Sequence, residues 1–541
     1  MVGRARGAFV LAGILAFGAV AACVGDDPVT SGTTPDVDAG DSATSSGGDA
    51  NSGGDAAGSH VPMNAAAGVA MASDTNHACS VVSADVTISR AVDESDVTEY
   101  VIWWGTDATT KTGSPIGVLP KTGSNLVYPL ANAARPQSAT HLLVFTKNAA
   151  GEMTTGVSVA FNEVGQIIVQ DISAGQPNNS GTYPSVAFDS VNNKLLVATT
   201  NGANSNKAAL FRCNVDGTSC SYTDISSGQA ASSGIRPVAL VDSANGKLLV
   251  VTQFGGNPKP ALFRCNPDGT SCAYVDISAG QLADSGQELS ATIDTVSSKL
   301  LVAARNAQVG GGNRPGLFRC NLDGTSCTFR DLSTDTGHTG SCGLSPSIAV
   351  DTVNSKLLVV TKDADNSEKP ALFRCNLDGS SCSYSDISAG QGAASGHGPK
   401  ALVDTVGNKL LVFTNNGANS SKLALFRCAL DGTSCAYLDV SAGQTGTVFF
   451  DSAPAASIDT INKKIVIAAL HSVDVANQQR LGLVRCNTDG TSCAFTDVSP
   501  RAMGGEAQVA AAWNPASQTL LTALNGSENG QEPTFVAVCG H

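Results

Sequence analysis

A unit of about 53 residues recurs along most of this chain, and seven copies of it can be read. Its clearest part is Phe-Arg-Cys-Asn-x-Asp-Gly-Thr-Ser-Cys, which places cysteines at Cys213 and Cys220, Cys265 and Cys272, Cys320 and Cys327, Cys375 and Cys382, Cys428 and Cys435, and Cys486 and Cys493. An Asp-Ile-Ser-type step comes after each copy, at Asp224, Asp276, Asp331, Asp386, Asp439 and Asp497, and an additional one stands ahead of them all at Asp171. A Lys-Leu-Leu-Val-type step precedes each copy, from Lys194, Lys247, Lys299, Lys356, Lys409 and Lys464, with Thr519 in the seventh position. No single unit of this kind can bury its own apolar face, so neighbouring units must stack.

Four strands are expected per unit, for example at 237–241, 247–252, 261–265 and 272–277. Leu248, Leu249, Val250 and Val251 leave no solvent side on the second of them. Strands buried on both faces belong to sheets stacked around an axis, as in a β-propeller, whereas a sandwich strand keeps one wet face. The last unit stops after a third strand ending at Cys539, and 166–173, carrying Asp171, can supply the missing fourth. The fold expected is therefore all-β, with a seven-bladed β-propeller over 163–541 closed by an N-terminal fourth strand.

The beginning of the chain speaks to location. Arg4 and Arg6 precede an apolar run from Ala8 to Ala22, too short to span a bilayer and built like a secretory signal. Val20-Ala21-Ala22-Cys23 resembles the bacterial lipobox. That resemblance implies cleavage after Ala22 and a lipid on Cys23, which anchors a protein to a membrane without spanning it. Residues 23–61 are rich in Gly, Ser, Thr, Ala and Asp and lack Lys and Arg, a composition that cannot offset its ordering entropy. Such a tether holds the folded part on the order of 35 Å from the lipid. The formal charge of −14 becomes −16 once Arg4 and Arg6 are removed, which excludes binding modes that depend on basic surfaces, nucleic acid foremost. Exported and lipid-anchored to the bacterial cell envelope, at the outer membrane, is the expected location.

Between 62 and 162 the repeat is absent. Val86-Thr87-Ile88-Ser89 alternates as a half-buried strand, Tyr100 to Trp104 forms a second with Trp103 and Trp104 on opposite faces, and His141 to Lys147 a third before Asn148-Ala149-Ala150-Gly151. The order of these pieces resembles a small fibronectin type III-like β-sandwich. That resemblance implies a spacer or adhesive module and no chemistry.

The paired cysteines flank an Asp-Gly turn, so in an oxidising compartment they read as one local disulfide per unit. Metal ligation needs further His or Cys at each site, and none recurs, so no metal or cofactor is expected. Of the sixteen cysteines, Cys79, Cys342 and Cys539 remain unassigned after Cys23 and the twelve paired ones.

One face of the propeller carries nearly identical turns, for which the positive φ of Asn-Gly and Asp-Gly hairpins is sufficient reason. The opposite face carries the residues that vary: Tyr183, Arg236, Glu288, Ser345, His397 with Lys400, Asp451 after Phe449-Phe450, and Arg501 with Glu506. Arg305, Arg314, Lys362, Asp363, Asp365, His471 and Arg480 enter from the second-to-third-strand loops. Residues that break a repeat are free to serve a ligand, and loops on rigid scaffolds are where sites sit. The candidate ligand-binding set is Tyr183, Arg236, Glu288, His397, Lys400, Arg501 and Glu506. The competing reading, a glycosidase or sialidase-like hydrolase, needs an arginine cluster, a carboxyl acid or base and a nucleophile. Arg212 and its equivalents belong to the repeat, and no hydrolase elbow or phosphate loop occurs. The layout reads as a binding or adhesion platform for a glycan or envelope protein, without catalytic residues.

Overall fold

The computed structural model describes residues 60–72, 81–136, 139–160, 168–307, 312–338, 340–443, 453–460, 462–472, 479–498, 508–515, 517, 519–525 and 530–539. The signal segment, Cys23, the tether to residue 59, Cys79, Ile167, Phe449, Phe450, Asp451, Arg501 and Glu506 lie outside them. The regular elements among the described residues are strands, apart from two short 3-10 turns at Gly202–Asn204 and Gly417–Asn419. No helix among them is long and apolar enough to cross a membrane.

Two sheets precede the repeat. One has three strands, Gly68–Met71, Val81–Ser89 and Leu126–Ala134; the other has five, built on Glu99–Gly105 and His141–Asn148. Val82, Val86 and Ile88 from the first and Tyr100, Ile102, Trp104, Leu142 and Val144 from the second form one buried core. Trp104 enters this core, while Trp103 lies outside it beneath the Lys111 ammonium, 4.9 Å from its ring centre.

Among the described residues the repeat forms seven four-stranded antiparallel sheets, numbered along the chain: the strands of sheet I fall within 182–224, of II within 235–276, of III within 287–331, of IV within 344–386, of V within 397–439, of VI within 455–497, and of VII within 508–539 together with 168–171. Sheet II, for instance, runs Ile235–Asp242, Lys247–Gln253, Pro260–Cys265 and Ala273–Asp276. Sheet VII takes Gln508–Asn514, Thr519–Asn525 and Pro533–Cys539 from the end of the chain and Ile168–Asp171 from before sheet I. There Phe535 pairs with Gln170 and Thr534 with Asp171, so the expected closing strand is present. Asp171 accepts from the Ser173 N–H at 2.8 Å, the same contact that Asp224, Asp276 and Asp386 make with the serine two residues on.

Cores lie between sheets, as the doubly apolar strands require. Leu248 and Val250 pack toward sheet I with Leu196 and Ala198, while Leu249 and Val251 pack toward sheet III with Leu300 and Val302. All four side chains of 248–251 are fully buried, each contributing about 1.5–3 kcal/mol of apolar transfer free energy. The series returns on itself, because Leu521, Ala523 and Phe535 of sheet VII share a cluster with Val186, Leu195 and Phe211 of sheet I. On the innermost strands the seam is polar: the Ser185 hydroxyl accepts the Ala239 N–H at 2.9 Å, and the Ser347 hydroxyl the Ala401 N–H at 2.9 Å. This is a β-propeller arrangement.

The repeated residues have identifiable tasks. Six disulfides join the cysteine pairs from Cys213–Cys220 to Cys486–Cys493. The repeat lysines tie the two hairpin turns of one face together, as Lys194 does by donating to Asn214 Oδ1 at 2.6 Å and Lys247 to Asn266 Oδ1 at 2.7 Å. Within the Asp-Gly-Thr turn, the Thr270 hydroxyl and N–H hold the Asp268 carboxyl below the usual carboxylate range, helped by Arg212 of the preceding sheet. Arg264 does the same for Asp323 and Arg374 for Asp431. The repeat arginines therefore belong to the sheet-to-sheet seam.

Turn chemistry alone does not account for the turn glycines. Each has positive φ and also lies against the preceding sheet. A Cβ on Gly324 would stand 3.0 Å from Val275, and one on Gly217 would stand 2.4 Å from Phe535 across the closing seam between sheets I and VII. Gly228 has a similar φ of +74° but open space around it.

Cys342 departs from the repeat. It occupies the position that Ser180, Ser233, Ser285 and Ser395 hold elsewhere, and its carbonyl accepts the Thr361 hydroxyl at 2.6 Å as that of Ser233 accepts Thr252 at 2.9 Å. Its thiol is free and buried. Burial pushes its thiol up to about 12.

Gly217→Ala should lower the melting temperature well beyond Gly228→Ala, because both strain the backbone equally and only the first collides with Phe535; equal losses would show that this seam is not packed. Cys342, neutral and enclosed, should resist alkylation at pH 8 in the native protein and react on unfolding, as peptide mass spectrometry would read.

Candidate functional site

The innermost strands of sheets I to V share an irregularity that propensity does not explain. Pairing with the second strand skips between Thr182 and Ser185, Ile235 and Val238, Gln287 and Ser290, Leu344 and Ser347, and His397 and Lys400. Inside each bulge sits a residue with left-handed φ: Tyr183 at 52°, Arg236 at 49°, Glu288 at 50°, Ser345 at 47° and Gly398 at 54°. Four of these are not glycine, and each costs about 1–2 kcal/mol of backbone strain. Strain repeated at equivalent places and carried by dissimilar side chains points to a site.

The bulges bring predicted residues together in pairs around the ring. The Arg236 guanidinium lies over the Tyr183 ring at 5.1 Å from its centre, and the Arg236 N–H donates to Thr200 Oγ1 at 3.1 Å. Arg236 is exposed and has no carboxylate partner among the described residues. On the next pair of sheets, the Ser345 N–H donates to Glu288 Oε2 at 2.7 Å, and Arg305 lies 3.4 Å from Glu288 Oε1. In sheet V, His397 Nε2 is 2.9 Å from Glu368 Oε2, whose other oxygen takes Lys362 at 3.3 Å. Burial pushes the Glu368 carboxyl up, but Lys362 and His397 outweigh it and hold the group below its ordinary value.

Lys400 lies deeper, one step inside the bulge. At its level the other sheets carry Ser185, Val238, Ser290, Ser347, Ala455 and Ala510, so it is the lone cation there among the described residues. Protein surrounds it although part of its surface stays accessible, and that desolvation lowers its pKa. It has no ion-pair partner among the described residues.

The remaining loop residues are engaged within their own sheets. Arg314 pairs with Asp331 at 3.2 Å, Arg480 with Asp497 at 3.1 Å, and Asp363 accepts the Tyr384 hydroxyl at 2.6 Å. His471 is buried, and burial lowers its pKa. Arg501 and Glu506 lie outside the described residues. The set that the structure joins is Tyr183 with Arg236 and Glu288 with Ser345, with His397 and Lys400 on sheet V. Sequence reasoning placed Tyr183, Arg236, Glu288 and Ser345 in loops, whereas they belong to the strands. Their left-handed backbone carries no residue-type signal, because glycine occupies only one of the five positions. Among the described residues, no group of three or more His, Cys, Asp or Glu could hold a metal ion.

Ser345→Gly should raise stability by about 1 kcal/mol, since glycine adopts the left-handed bulge without strain and keeps the N–H that meets Glu288. Ser345→Val should lower it, and urea unfolding that ranked the two alike would remove the strain.

Residues 243–273 match a family model described as a β-propeller domain of unknown function, DUF5122. No curated protein matches. Among solved structures, an auxiliary nutrient binding protein from Bacteroides thetaiotaomicron is 10% identical with a TM-score of 0.35, covering 87% of this chain and 98% of its own. A Hadza microbial sialidase is 10% identical with a TM-score of 0.38, covering 87% and 91%. Hydrazine synthase from Kuenenia stuttgartiensis is 8% identical with a TM-score of 0.37, covering 53% and 75%.

Proposed function

We propose that this chain is a lipoprotein of the bacterial cell envelope that presents a seven-bladed β-propeller as a binding platform for a glycan or an envelope protein. In this reading Cys23 carries the lipid at the outer membrane, 24–61 is the tether and 62–162 a fibronectin type III-like spacer. The observation that carries the binding role is the set of strained bulges, which hold Tyr183, Arg236, Glu288 and Ser345 toward one end of the ring at a cost the fold alone does not require. An unpaired Arg236 stacked on Tyr183 offers both a charged donor and an aromatic plane, and Lys400 adds a second unpaired cation below. That chemistry suits a sugar ring bearing a carboxylate or an acidic peptide. Glu288 is engaged by Arg305 and by Ser345, which favours binding over general acid–base work by that residue.

The test is a glycan array probed with the full-length, detergent-solubilised chain. Retention of an acidic glycan, reduced at least about tenfold by Arg236→Ala and by Lys400→Ala, is the expected result for two charge-assisted contacts. Binding unchanged by both substitutions would move the site away from the bulges. Cleavage of the arrayed glycan would replace the binding reading with the hydrolase one.

A further inference from the structure

The aspartate of the Asp-Ile-Ser step takes a side-chain donor on Oδ2 in sheets I, III, IV, V and VI and, among the described residues, takes none in sheet II. In sheets I, IV and V its Oδ2 receives a side-chain amide from the loop between the second and third strands. Asn204 donates to Asp224 at 2.9 Å, Asn366 to Asp386 at 2.8 Å, and Asn419 to Asp439 at 3.3 Å. Arg314 and Arg480 serve Asp331 and Asp497 in sheets III and VI. The neighbouring tyrosine is satisfied in the same way: Tyr222 accepts Asn201 at 3.0 Å, Tyr437 accepts Asn419 at 3.0 Å, and Tyr384 donates to Asp363 at 2.6 Å.

In sheet II these partners are missing. Asp276 Oδ1 accepts the Ser278 N–H at 2.8 Å, but Oδ2 and the Tyr274 hydroxyl have no partner among the described residues. The Lys259 ammonium is likewise without one, whereas its equivalent Lys422 lies 3.6 Å from Asp439. Where the loop amide sits in the other sheets, sheet II has an open pocket of about 280 Å³ lined by Phe254, Asn257, Lys259, Pro260, Tyr274 and Asp276.

The sequence supplies the cause. Sheets I, IV and V read Asn204-Ser205-Asn206-Lys207, Asn366-Ser367-Glu368-Lys369 and Asn419-Ser420-Ser421-Lys422. The two residues after the asparagine are left-handed in each, at φ between 53° and 59°, and they turn its amide down onto the aspartate. Sheet II has Asn257-Pro258-Lys259, one residue shorter. Proline fixes φ near −65°, so the paired left-handed turn cannot form and Asn257 stays exposed.

We infer that the sheet II pocket binds a primary carboxamide, the group that fills the equivalent place in three other sheets. Its NH2 donates to Asp276 Oδ2 and the Tyr274 hydroxyl, as Asn419 does to Asp439 and Tyr437. Its carbonyl accepts from the Lys259 ammonium, and its carbon stem lies against Phe254 and Pro260. An Asn or Gln side chain of a peptide and a small free amide share this chemistry. The site is separate from the bulges and stands whether or not they bind a glycan.

The probe is propionamide, with N,N-dimethylpropionamide as the analogue that keeps the carbonyl and lacks the N–H donors. Saturation-transfer NMR on the full chain should give a signal for propionamide alone, lowered about tenfold in Asp276→Asn and reduced in Tyr274→Phe. Replacing Pro258 with the pair Ser-Asn, as at Ser205 and Asn206, should abolish the signal while leaving Asp276 and Tyr274 in place, because Asn257 then fills the pocket. An Asn-containing tripeptide that competes with propionamide assigns the peptide source, and one that does not assigns the small amide. Equal signals from both probes, or a propionamide signal that survives both Asp276→Asn and the loop replacement, would overturn the inference.

Discussion

Close approach between neighbouring sheets is the constraint on which the rest of this structure depends. The second strand of each sheet is apolar on both sides, so a sheet is stable only when covered twice, once by each neighbour. A row of such sheets would leave two uncovered ends. Here the ends meet, with Phe535 and Leu521 of sheet VII against Phe211 and Leu195 of sheet I. The strand Ile168–Asp171 adds a hydrogen-bonded ladder between the two extremes of the repeat. The disulfides and the Asp-Gly turns are subordinate to that contact, since the turn glycines are where one sheet reaches over the next without room for a Cβ.

Because the scaffold is so repetitive, departures from it are informative. The repeat face is occupied with itself: lysines bridge turns, threonines cap aspartates and arginines lean on the following sheet. On the opposite face the backbone repeats a bulge while the side chains at that bulge change from Tyr to Arg to Glu to Ser. The sheet II pocket obeys the same logic at the outer edge, where one proline in place of two residues withdraws an amide that other sheets supply. Keeping a cavity's shape while removing its internal partner is a direct way for a repeat protein to acquire a site.

Much of the architecture was legible in the sequence because its signals are local and periodic. The double apolar run at 248–251, the cysteine spacing and the orphan Asp171 led to stacked sheets, hairpin disulfides and a closing strand, and the described residues hold all three. The site was legible only as a set of names. Tyr183, Arg236, Glu288 and Ser345 stood out as interruptions of the repeat, but their left-handed backbone is imposed by the register skip and leaves no trace in residue type. The second task of the turn glycines was hidden because it depends on a neighbour about one repeat away in sequence. Cys342 had no assignment from the sequence, because it fills a buried serine position that only alignment of the sheets reveals.

The claim that everything rests on is closure of the ring by Ile168–Asp171 against Pro533–Cys539. Native-state hydrogen exchange on the full chain, read by mass spectrometry, tests it directly. Amides of 168–171 and 534–537 should exchange in the same slow class as those of the buried strand Lys247–Gln253, because the closing sheet then opens only with the whole. Rapid exchange at 168–171 beside slow exchange at 247–253 would mean that the ring is not locked there.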